Sequence, residues 1–299
     1  MTTNPLQYLQ PAVISRLANM ELRARLVVEG FITGLHRSPY HGFSVEFAQH
    51  RQYMPGDEPR FIDWKIYGRT DRYYIKQYEE ETNLKSTILL DTSRSMGYAS
   101  EGRITKLAYG SYLAAALAYL MVKQQDAVGL ATFDTEVTSY LPPHATKASL
   151  RQLLVRLEQT TPGGKTGAGK AMHQIADRMK RRGLVIIISD LLDEPESVMA
   201  AMKHFRHKKN EVIVLHVLDP MERSFAFGAD AVFQDLETSD RMTTQPWHIQ
   251  ASYREAMAAF LDRYKRECRE HAIDYAVMDT ATPFDTGLAA YLAKRRRIQ

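Results

Sequence analysis

A single cysteine in 299 residues, Cys268, excludes an internal disulfide. There is no apolar run of about eighteen residues, so no membrane-spanning helix is expected. The N-terminal stretch MTTNPLQYLQPAVISRLANMELRARLVVEG shows no apolar core followed by a small-residue cleavage site, and a secretory signal is not expected. Together these absences point to a reducing, cytoplasmic setting. Nor does charge of one sign dominate: 39 Lys and Arg stand against 35 Asp and Glu. A net charge of +4 is no nucleic-acid signature, and nucleic acid is not expected as a partner. The basic runs KRR (180–182), KHFRHKK (203–209) and KRRR (294–297) fall near the ends of predicted helices. Cations there complement the helix dipole. A patch for an acidic partner surface is the sharper alternative.

What is present is ordinary globular material, 44% hydrophobic and 25% charged. The length suits one large α/β domain with an appendage, or two small domains. Residues 1–84 read as an extension: a helical stretch, LQPAVISRLANMELRARLVVEGF, then a polar, aromatic, turn-rich segment with short β candidates. From residue 85 to 299 apolar strands alternate with amphipathic helices. Strands are predicted at 86–91, 127–133, 136–141, 184–190, 211–219 and 274–279. Helices are predicted at 103–124, 146–159, 168–181, 195–208, 249–271 and 284–296. Runs such as LVIII suit parallel strands buried on both faces. The alternation predicts a doubly wound, mostly parallel sheet flanked by helices. Such sheets bind ligands beyond the carboxyl ends of their strands.

Three strand ends and loops then stand out. The first strand closes in DTSRSMG (91–97), with Asp91, Ser93 and Ser95 at alternate positions. All three offer hard oxygen donors, which suit Mg²⁺, with Mn²⁺ or Ca²⁺ as alternatives. Thr166 lies in the glycine-rich loop PGGKTGAGKAM (162–172), and Asp190 closes IIISD (186–190). Mg²⁺ takes about six oxygens and commonly keeps waters, so this set leaves a position open for an acidic side chain of a partner.

The order DTSRSM, GGKTGAGKAM, ISD resembles the metal-ion-dependent adhesion site of von Willebrand factor A domains, over roughly residues 85–296. The resemblance implies that fold, and metal-ligating roles for Asp91, Ser93, Ser95, Thr166 and Asp190. Where many such domains continue from the last aspartate into glycine, Leu191-Leu192 follow here. Upstream stand Glu46-Phe47, Arg51 and Tyr53, Gly56-Asp57, Arg60 to Trp64, and the acidic Glu79 to Glu81, leading into STILLDTSRSM. This pattern is similar to a bacterial family known as domain of unknown function 58. Its members resemble partners of MoxR-type AAA+ ATPases. That implies a non-enzymatic, metal-dependent interaction module, engaging such an ATPase or a client protein in chaperone-like maturation.

Competing readings use the same residues. GKTGAGKA (164–171) approaches a phosphate-binding loop, but Ala171 stands where Ser or Thr is required. A metal-dependent phosphatase or nuclease at Asp91 is the enzymatic alternative; Ser93 occupies the place where haloacid-dehalogenase-type phosphatases carry a second aspartate. The ten histidines match no compact zinc spacing. Arg60 and Asp63-Trp64 read as an ion pair and aromatic anchor joining the extension to the main domain, with a partner-binding surface as the alternative. Asp193 and Glu194 read as the cap and first-turn acid of the helix from Pro195, or as added negative potential near the metal.

Overall fold

A computed structural model describes residues 11, 19–37, 50–53, 64–76, 84–164, 167–179, 182–227, 231–234, 241–244 and 246–298. The centre is a six-stranded mixed sheet. In chain order its strands are β3 (Lys85–Asp91), β4 (Ala127–Phe133), β5 (Val137–His144), β6 (Leu184–Ser189), β7 (Glu211–Leu218) and β10 (Asp274–Asp279). They lie side by side as β10-β7-β6-β3-β4-β5. All neighbours are parallel except β4 and β5. This is the expected α/β class.

Alternate side chains of each central strand feed two separate cores, as a period of two dictates. Ile88, Leu90, Ile186 and Ile188 point to one face, while Leu89, Val185 and Ile187 point to the other. The first core is closed by α1 (Met20–Arg37), α3 (Lys106–Lys123), α4 (Lys147–Glu158) and α9 (Asp285–Ile298). The second is closed by α5 (Ala168–Arg178), α6 (Pro195–His207) and α8 (Pro246–Glu270). Burial on both faces explains the unbroken apolar runs.

Helix α3 lies directly behind the strand ends that matter. Thr105 caps it by accepting from Ala108 N–H at 3.1 Å. Its small residues bring it close to the sheet: a Cβ on Gly110 would stand 3.0 Å from Ile188 and 3.1 Å from Leu90. Met20, Ala24, Val27 and Val28 of α1 are buried in the same core, so part of the predicted extension packs on the main fold. Also in the extension, β1 (His50–Gln52) pairs antiparallel with β2 (Tyr74–Lys76), and α2 (Trp64–Thr70) lies between them in sequence.

Several elements depart from expectation. The strand expected at 136–141 runs on to His144 through Pro142 and Pro143 and turns antiparallel to β4. A sheet edge tolerates proline because its outer side needs no N–H donor. The region 220–245, left without elements, contains the short helix α7 (Pro220–Ser224) and the hairpin of β8 (Ala231–Gln234) with β9 (Arg241–Thr244). Five residues are too few for a helical period to show. Among the described residues no helix is long and apolar enough to cross a membrane. Trp64 is not the buried anchor expected: it is 60% exposed, with its ring edge-on to Tyr67. Arg60 and Asp63 lie outside the described residues.

Candidate metal centre

The chain moves outward from β3 through β4 to β5 and then returns to lay β6 on the other side of β3. Strand order reverses between β3 and β6, and the crevice beyond their carboxyl ends is where such sheets bind ligands. Asp91, Ser93 and Asp190 are there, all buried, with Ser95 half-buried beside them. Asp91 Oδ1 accepts from Ser93 N–H at 2.8 Å, and Oδ2 accepts from the Ser189 hydroxyl at 2.6 Å. These bonds fix the carboxylate plane. The Ser93 and Ser95 hydroxyl oxygens are 3.0 Å apart. The short 3₁₀ turn Arg94–Gly97 folds Ser95 back toward Ser93.

The glycine-rich loop is pinned against this turn. Gly163 N–H donates to Thr92 O at 2.7 Å, and Arg94 N–H donates to Gly164 O at 3.0 Å. Gly164 N–H also donates to Asp134 Oδ2, just past β4, at 3.1 Å. The loop therefore meets the Asp91 segment at two backbone bonds. Thr166 itself lies outside the described residues.

Asp190 follows the last residue of β6, and its carboxylate is already engaged. Oδ2 is 2.7 Å from the Lys106 ammonium, which also meets Glu222 Oε1 at 2.5 Å. Burial alone would depress the Lys106 ammonium, but Asp190 and then Glu222 outweigh it and hold the pKa above the usual lysine value. Glu222 is tied in turn to Asp219 through the capping box of α7. Asp219 Oδ2 accepts from Ser100 N–H and Oγ at 3.1 and 3.0 Å. One lysine thus bridges the carboxylates of Asp190 and Glu222. Burial, and next the Asp190 charge, push the Asp91 carboxyl up to about 7 against the pull of its hydrogen bonds.

Behind Asp190, His216 Nε2 lies 2.7 Å from the Asp190 carbonyl. A carbonyl only accepts, so Nε2 carries the proton. The neutral ring's Nδ1 then accepts from Tyr275 OH at 2.7 Å. Leu191, which follows Asp190 directly, has φ +52. That left-handed conformation is held by Leu191 N–H donating to Ser189 Oγ at 2.9 Å and by Asp193 N–H donating to Leu191 O at 2.8 Å.

The family model described as protein of unknown function DUF58 matches residues 49–267. This chain belongs to the DUF58 family. The uncharacterized protein Rv1480 of Mycobacterium tuberculosis is 24% identical to it over 234 residues, 76% of this chain and 72% of the relative. The uncharacterized protein MAV169 of Mycobacterium avium is 27% identical over 156 residues, 49% of this chain and 88% of the relative. Among solved structures, the conserved hypothetical protein BatB from Bacteroides thetaiotaomicron superposes with a TM-score of 0.50 at 18% identity. The match covers 72% of this DUF58 chain and all of BatB, and it bears on the fold.

The donors at this DUF58 site fit a small hard cation. They are all oxygens, and the surrounding carboxylates outnumber the one lysine. The 3.0 Å between the Ser93 and Ser95 oxygens is close to the cis ligand spacing, about 3.0 Å, of an octahedron with Mg–O bonds near 2.1 Å. No three of His, Cys, Asp and Glu gather as metal ligands among the described residues, so hydroxyls would carry much of the coordination. Sequence reasoning missed Ser189, Lys106, His216 and Asp134. Each acts on a partner 26 or more residues away. The cap assignment at α6 also changes: Asp193 Oδ2 accepts from Gly169 N–H at the start of α5, and Glu194 makes no side-chain cap.

Proposed function

We propose that this DUF58 chain is a metal-dependent protein–protein interaction module of the von Willebrand factor A type, and not an enzyme. Asp91, Ser93 and Ser95 would hold Mg²⁺ (or Mn²⁺ or Ca²⁺), with Thr166 from the pinned glycine loop. Asp190, tied to Lys106, would act from behind through water. The observation that carries the reading is the pair of hydroxyl oxygens 3.0 Å apart beside a buried carboxylate at the sheet's switch point. A bound cation supplies one open position for a carboxylate oxygen of the partner. Asp91 supplies charge, Ser189 and Ser93 N–H orient it, and the buried surroundings strengthen each interaction by excluding water. The partner proposed is a MoxR-type AAA+ ATPase, or a client that the pair remodels in the cytoplasm.

Capture of the cognate ATPase tests this directly, with wild type and Asp91→Ala each assayed in Mg²⁺ and in EDTA. Capture is expected only for wild type in Mg²⁺. Equal capture in all arms sinks the metal-bridge reading. Turnover of p-nitrophenyl phosphate that disappears in Asp91→Ala would favour the phosphatase or nuclease alternative.

A further inference from the structure

The two edges of the sheet are finished differently. β5 carries Pro142 and Pro143, which lack N–H donors and so blunt that edge. β10, DYAVMD, has neither proline nor lysine. β7 pairs along one side of it, and no described strand pairs along the other. Residues 274–277 of β10 are half-exposed, whereas β7 is buried from Val212 to Leu218. In a regular parallel ladder, alternate residues direct both backbone groups to the same neighbour. Thr280 N–H donates to Leu218 O on β7, so the backbone groups of Tyr275 and Val277 face away from β7, where no described strand lies.

A groove of about 680 Å³ lies beside this edge, between α8 and the start of β10. Lys265, Arg266 and Arg269 line it from one face of α8, and Ile273 and Tyr275 form its floor. All three cations are exposed, and none takes part in an ion pair among the described residues. Arg263, on another face of the same helix, pairs with Glu196 and Glu267. Asp262 and Asp274 also line the groove, but the cations are in excess.

We propose that β10 and this face of α8 form a docking groove for an extended, carboxylate-bearing segment of a partner protein, added as a strand alongside β10. Main-chain hydrogen bonds to Tyr275 and Val277 would give affinity, and alternate carboxylates meeting Lys265, Arg266 and Arg269 would give selectivity. A second copy of this chain at the same edge would bring these cations against themselves, which disfavours it.

Fluorescence anisotropy with the full chain, in EDTA, separates this groove from the cation site. The probes are a fluorescein-labelled peptide of alternating Glu and Val, its Lys-Val counterpart, and a Glu-Val peptide N-methylated at alternate residues. Only the first is expected to bind. Its affinity should fall roughly tenfold or more in Lys265→Glu/Arg266→Glu/Arg269→Glu, and likewise in Val277→Pro, whose change removes one outward N–H. No binding of the Glu-Val peptide, equal binding of the Lys-Val peptide, or indifference to both variants overturns the proposal. Retained binding of the N-methylated peptide overturns strand addition. Self-association of the wild type that Val277→Pro abolishes would assign the edge to a second copy instead.

Discussion

The Lys106 ammonium lies 2.7 Å from Asp190 Oδ2, and both side chains are fully buried. This pair ties the start of α3 to the end of β6 directly behind the candidate cation site. Lys106→Met would leave Asp190 and Glu222 without their cation, at a cost of about 3–5 kcal/mol in urea unfolding. Asp190→Asn alone would leave the buried lysine only Glu222 as a carboxylate partner and would also destabilise. In Lys106→Met/Asp190→Asn the combined loss should be well below the sum of the two, because each change removes the other's uncompensated charge. Strict additivity would show that the pair is not coupled.

His216 gives the fold a pH dependence with a definite sign. Burial depresses its pKa from 6.5 to about 4. Between those values the unfolded chain binds a proton that the folded chain refuses, so stability falls as pH falls across the window. The full effect is about 3 kcal/mol. Asp91 works in the opposite direction. Its pKa rises from 3.8 to about 7, so the folded chain keeps a proton that the unfolded chain releases, and that contribution is lost as pH rises. The two largely offset each other in metal-free wild type. In an Asp91→Asn background, urea midpoints should drop between pH 6.5 and pH 4, and adding His216→Gln should flatten that drop. Identical slopes in the two variants would contradict the assignment.

The pattern of what sequence revealed follows from range. LVIIIS and STILLD announced themselves because strands buried on both faces are apolar at every position. Asp91, Ser93 and Ser95 were legible because a strand end and a tight turn are local. Lys106 looked like any first-turn residue of a helix, since its partners lie 84 and 116 residues away. Ser189 reads as one more strand residue until β3 is placed beside it. Leu191 was the reverse case. The missing glycine was visible, but the bonds that hold leucine at φ +52 come partly from Ser189 and are tertiary.

Gly169 belongs to the near-match for a phosphate loop, and packing accounts for it. A Cβ there would run into the Ser197 hydroxyl and stand 2.9 Å from the Ser197 backbone carbon, so α5 and α6 would have to separate. Gly169→Ala should cost about 1–3 kcal/mol through overpacking, although alanine favours helix. Adding ATP should not raise the melting temperature of wild type. A neutral Gly169→Ala would remove the packing explanation, and stabilisation by ATP would restore the phosphate one.

Ser95 and Ser189 belong to the same candidate site and should fail in different ways. Ser95 is half-buried, and its hydroxyl meets only Ser93 among the described contacts. Ser95→Ala should therefore change stability by no more than about 0.5 kcal/mol. It removes one proposed ligand, so Mn²⁺ affinity, followed by electron paramagnetic resonance titration, should fall roughly tenfold or more. Ser189 is fully buried; it donates to Asp91 at 2.6 Å and accepts from Leu191 N–H at 2.9 Å. Ser189→Ala leaves both groups unsatisfied and should cost about 1–3 kcal/mol before any metal is added. Because Ser189 touches no open position, its loss should disturb the fold more than the Mn²⁺ titration. The reverse pattern, a destabilised Ser95→Ala that binds Mn²⁺ normally, would make the serine pair a structural feature of the turn and remove the cation from it.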